Sequence, residues 1–189
     1  VNPDDDPDDV APSIRAEYER LGADAFYRKH GRDYRNPHED VIGLALDRAV
    51  KQWAPDLSNV LDLACGSGEV TLSIRQLGAQ NVQGIDPFTF EAYQSRTGQI
   101  AERWSFEDIA SSQLIDRRYS LIVCSFALHL CDASRLPGVL TQLSLIAPQL
   151  WILTPHKRPQ ISPAWGWTLQ AEMVVARVRI RNYFSTGIV

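Results

Sequence analysis

The chain has 189 residues, 44% of them hydrophobic, and its 19 basic and 23 acidic side chains leave a net charge of −4. That length supports one domain with a substantial core, and the composition excludes wholesale disorder. The negative balance excludes a globally basic nucleic-acid binder, no apolar run approaches the ~20 residues of a membrane span, and the acidic start is not a secretory signal.

In chain order, residues 1–12 carry five aspartates and three prolines and are predicted to form a disordered acidic lead. Residues 13–56 read as an N-terminal helical unit. Ser13 caps a helix running through Tyr18 and Leu21 toward Lys29, and Asn36-Pro37 breaks the chain. From His38 to Trp53, residues Ile42, Ala45, Leu46, Ala49, Val50 and Trp53 then fall on one helical stripe. Residues 57–189 alternate strands with helices. Strands are predicted at Asn59–Ala64, Asn81–Ile85, Ile100–Ser105, Ser120–Cys124 and Leu150–Leu153, and helices near Glu69–Leu77, Phe88–Arg96, Ser134–Ile146 and Gly166–Ala176. Continuous apolar strands such as Leu121-Ile122-Val123 belong to a parallel sheet covered on both faces, which makes the class a doubly wound α/β sheet. A last strand, Val178 to Phe184, alternates Arg177, Arg179 and Arg181 with Val178 and Ile180, the pattern of a sheet exposed on one side.

The chemistry concentrates in Val60-Leu61-Asp62-Leu63-Ala64-Cys65-Gly66-Ser67-Gly68-Glu69, a strand that ends in a carboxylate and a glycine turn opening a helix. Val82-Gln83-Gly84-Ile85-Asp86 follows, a second strand ending in a carboxylate at the spacing that holds a ribose. Together with Trp104-Ser105-Phe106-Glu107-Asp108-Ile109 and the segment from Tyr119 to Leu130, these segments resemble the class I S-adenosylmethionine-dependent methyltransferases over roughly Val60 to Thr154. The family's first glycine is alanine here, at Ala64, and the nicotinamide-type G-x-G-x-x-G spacing fails at Thr71. The family closes its sheet with an antiparallel hairpin. A single closing strand is evident, so the last antiparallel strand is expected to be missing, with room for residues before Val1 and after Val189.

The resemblance implies S-adenosylmethionine as cofactor and a role for each matching residue. Asp86 takes the ribose hydroxyls, with Pro87 beside it. Asp62 holds the turn of Ala64, Gly66 and Gly68 or meets the methionine ammonium through water, and Phe88 lies on the adenine face or in the core. Asp108 takes the adenine amine, with Glu107 as its alternative, and the Ile109 amide serves a ring nitrogen. Ser125 shapes the donor pocket, and His129, just past the fourth strand, is the candidate catalytic base.

N-terminal elements in the family fold over the donor as a lid, which points to Tyr27, Tyr34, Asn36 and His38 as donor or acceptor contacts. His156 and Lys157, after the fifth strand, add a basic cluster on the same rim and favour a small anionic acceptor. The Asn/Asp-Pro-Pro-Tyr/Phe tetrapeptide of amino-group methyltransferases is absent after the fourth strand, where Ser125-Phe126-Ala127-Leu128 stands. RNA or protein is the alternative acceptor, and a non-catalytic partner subunit is the alternative of a different class. No metal-ligand spacing is evident. The cysteines Cys65, Cys124 and Cys131, an odd number without C-x-x-C, point to a reducing, cytoplasmic compartment.

Overall fold

A computed structural model describes residues 22–187, so the acidic lead and the Ser13 cap lie outside the described residues. Two helices come first, α1 (Ala23–His30) and α2 (Glu39–Trp53), joined by a 3-10 turn at Gly31–Asp33. Strands and helices then alternate: β1 (Asn59–Leu63), α3 (Glu69–Gln76), β2 (Asn81–Ile85), α4 (Phe90–Thr97), α5 (Phe106–Ala110), β3 (Leu121–Ser125), α6 (Leu136–Ser144) and β4 (Gln149–Thr154). The last two strands are β5 (Trp167–Val175) and β6 (Val178–Ser185). They form one six-stranded sheet in the order β2-β1-β3-β4-β6-β5, parallel from β2 to β4, with β6 antiparallel to both its neighbours.

Side chains alternate across the parallel strands, and each face has its own core. Leu61, Ile122, Cys124, Leu150 and Ile152 pack with Val139, Leu140 and Leu143 of α6. Val60, Leu121, Val123, Trp151 and Leu153 pack with Ile42, Leu46 and Ala49 of α2 and with Val70 and Ile74 of α3. The continuous apolar runs follow from this, because both faces of β1, β3 and β4 are covered. Among the described residues, no helix is long and apolar enough to cross a membrane.

Three sequence expectations are corrected. The helix predicted at Gly166–Ala176 is strand β5. Gly166, at φ 88°, ends the preceding 3-10 turn rather than opening a helix. From Ala171 on, β5 pairs residue for residue with β6, and Glu172 binds Arg179 and Arg181 across the strands. The closing hairpin is therefore complete, and the last antiparallel strand is present. The segment that falls short is Ile100–Ser105, where one parallel bridge, Ile85 to Glu102, replaces a strand. Glu102 exchanges backbone bonds with Gly84 and Asp86, and Ser105 then turns the chain into α5 through a capping box with Asp108.

Candidate functional site

The loops that follow β1, β2 and β3 meet at the C-terminal end of the parallel strands, where open α/β sheets hold their ligands. After β1 the chain turns sharply, with Ala64 and Gly66 both at φ 55° and Gly68 at φ 91°. The alanine in place of the family's first glycine thus takes the left-handed backbone that glycine favours. At Gly66 a Cβ would come within 3.2 Å of both the Glu69 carboxylate and the Tyr34 ring, so bare backbone is needed there.

Asp86 ties this turn to the loop after β2. Its Oδ1 accepts from the Phe88 and Thr89 amides at 2.8 and 2.9 Å, and its Oδ2 accepts from the Gly66 amide at 3.3 Å. Thr89 closes the ring by donating its hydroxyl to the Gly66 carbonyl at 2.7 Å. Burial pushes the Asp86 carboxyl up, and the amides of Phe88 and Thr89 pull against it. A carboxylate offers about four lone-pair positions. Three amides hold it, and the Thr89 hydroxyl lies against it as well.

Asp62, 1% exposed, accepts from the Thr71 amide at 3.0 Å and hydroxyl at 2.7 Å, and so pins the start of α3 to the strand. Burial pushes its carboxyl up to about 8, opposed by the bonds from Thr71 and reinforced by the charges of Glu69 and Asp86. Burial likewise raises the Cys65 thiol well above its ordinary range and Cys131 to about 11, so neither is poised as a thiolate.

A cavity of about 400 Å³ opens on these groups. Of the residues singled out from sequence, Tyr27, Tyr34, Asn36, Asp62, Ala64, Gly66, Asp86, Pro87, Phe88, Ile109 and Ser125 line it. The Ser125 hydroxyl is buried there with no hydrogen-bond partner among the described residues. Gly68 lies outside the wall, as the left-handed residue that starts α3. Asp108 also lies outside. Its carboxylate is turned onto the Ser105 amide and hydroxyl, which hold it below its ordinary range, while Glu107 faces the cavity. His38 stacks on Phe126, centroids 5.0 Å apart and rings 17° from parallel. His129 and His156 meet edge-on at 5.3 Å on the exposed surface, where Lys157 is also exposed.

Sequence reasoning passed over Arg28, Glu69, Phe126, Cys131 and Asp132, all in the wall. Glu69 carried a usable signal, an acidic residue directly after the glycine turn. Phe126, a bulky residue at φ 54°, carried none.

These features fit S-adenosylmethionine. The acidic side chains of Glu69 and Asp86 suit its cationic groups, the bare turn suits close approach of its amino-acid end, and an orphaned hydroxyl offers a polar contact. A family profile described as a methyltransferase domain matches residues 60–146. An uncharacterized protein of Schizosaccharomyces pombe is 34% identical over 197 residues, covering 82% of this chain and 79% of its own. Magnesium protoporphyrin IX methyltransferase from Synechocystis PCC 6803, solved with its methyl donor, superposes with a TM-score of 0.60 at 16% identity, over 92% of this chain and 97% of that one. An O-methyltransferase family protein from Burkholderia thailandensis gives a TM-score of 0.59 at 17% identity, over 89% of this chain and 62% of that one. The chain belongs to the class I S-adenosylmethionine-dependent methyltransferases. Its cofactor is S-adenosylmethionine.

Proposed function

We propose that the chain moves the donor's methyl group onto a small anionic acceptor, with the segment before α2 acting as the lid. The observation that carries this reading is the polarity of the cavity. Glu69 and Asp86 make one part of its wall acidic, whereas Arg28 contributes a guanidinium from α1. S-adenosylmethionine supplies an electrophilic methyl on a sulfonium, open to in-line attack.

The acidic part of the wall favours a cationic donor, and Asp86 takes a ribose hydroxyl. Phe88 offers a face to the adenine. Glu107, which faces the cavity as Asp108 does not, takes the adenine amine, and the Ile109 amide serves a ring nitrogen. Tyr27, Tyr34 and Asn36 exclude water from the reacting atoms. An acceptor hydroxyl would lose its proton to His129 at the rim, and His156 and Lys157 would draw an anion toward it. A volume of about 400 Å³ is near the lower end for small-ligand pockets, which suits a donor with a compact acceptor.

The test is transfer of labelled methyl from S-adenosylmethionine into fractionated cell extract. Label in low-mass material retained on an anion exchanger, and lost with Arg28→Ala, is the expected result. Label confined to RNA or protein would overturn the small-acceptor reading.

A further inference from the structure

We infer that Arg96 is a positioning residue that couples closure of the strap at residues 31–38 to the conformation of the donor turn. The strap reaches all three loops of the site. Gly31 lies so close to the Phe88 carbonyl that a Cβ could not fit, Tyr34 covers Gly66, and His38 stacks on Phe126. The Asn36 amide donates to Glu69 Oε1 at 3.0 Å.

Arg96, on α4, stands where strap and turn meet. Its Nη1 donates to Glu69 Oε1 at 3.1 Å, to the Ser67 hydroxyl at 3.0 Å and to the Ser67 carbonyl at 3.3 Å. Its Nη2 donates to Glu39, the first residue of α2, directly beyond the strap. Glu69 is 3% exposed and takes a further bond from the Ser67 hydroxyl. One planar cation is therefore shared by two carboxylates, one on the strap side and one behind the turn. The fork of a guanidinium can hold both, whereas an ammonium is a single point of charge.

Without the cation, Glu39 and Glu69 lose the charge they share, and the strap is left with the Asn36 bond as its polar tie to Glu69. With it, a turn ordered by the donor also orders the strap. Linkage makes the effect reciprocal, so a closed strap tightens donor binding. The inference rests on donor binding alone and is independent of the acceptor.

The experiment titrates S-adenosylhomocysteine, the demethylated donor, into wild type, Arg96→Lys, Arg96→Gln, Glu39→Gln and the Arg96→Gln/Glu39→Gln double variant. Each sample is then digested with limiting trypsin, with and without that ligand. Arg28, Lys29, Arg32 and Arg35 place cleavage sites in and beside the strap. Bound ligand should slow their cleavage in wild type. Glu39→Gln and Arg96→Gln should each weaken binding about tenfold and lose that protection. Arg96→Lys should recover part of both, and the double variant should be no worse than Arg96→Gln. Glu39→Gln acts from the partly exposed end of α2, so it tests the link even if Arg96→Gln does not fold. Wild-type affinity and protection in Glu39→Gln, or additive losses in the double variant, would overturn the coupling.

Discussion

The floor of the cavity and its outer rim are built in opposite ways. On the floor, Asp62 and Asp86 are buried, and each binds backbone amides on a neighbouring segment, so donor-facing atoms are fixed by the fold itself. The proposed acceptor rim, His129, His156 and Lys157, consists of exposed side chains outside the cavity wall. The floor is set by chain path, and the rim by side-chain identity alone.

The sharpest break in the comparison is Asp86→Ala. It removes the acceptor of three amides along with the proposed ribose contact, and should weaken S-adenosylhomocysteine binding about 100-fold, or about 2.7 kcal/mol, by calorimetry. Next comes pH. The folded Asp62 carboxyl titrates at about 8 and an unfolded one near 3.8, so between these values the native state holds a proton that the unfolded chain has lost. Stability should therefore fall as pH rises from about 4 to about 8 and level off above, by up to about 1.4 kcal/mol per pH unit. Asp62→Asn should flatten that slope in urea melts taken across the range.

Gly66→Ala tests chain path directly. A left-handed alanine costs about 1–2 kcal/mol, and with Tyr34 and Glu69 crowding the new Cβ the donor should bind roughly tenfold more weakly. The smallest effect belongs to the rim. Lys157→Ala should leave donor affinity within about twofold and raise KM for an anionic acceptor about threefold, in line with one exposed charge. Equal losses of donor affinity at floor and rim would erase the distinction.

The same division governs what could be read from the sequence. Strands β1, β3 and β4 were legible because both faces of each are covered, and the glycine turn because backbone chemistry restricts residue type. The hairpin was not. Its two-residue turn, Ala176 and Arg177 at φ 46° and 69°, has the geometry that usually calls for Asn-Gly, but neither residue advertises it. Asp108 lies outside the wall because two patterns overlap on it. The Ser-x-x-Asp spacing from Ser105 is a helix cap, and the cap claimed the carboxylate. The Arg96 cluster joins residues 27 and 57 positions apart, and no local pattern encodes it.

That turn also marks where the protein has room to be hardened. Ala176 and Arg177 hold a conformation costly for residues with a Cβ, and they lie outside the wall of the cavity. Grafting Asn-Gly there would relieve conformational tension without touching the catalytic machinery. The closing hairpin thus offers thermal headroom in a part of the sheet where ligands have no stake.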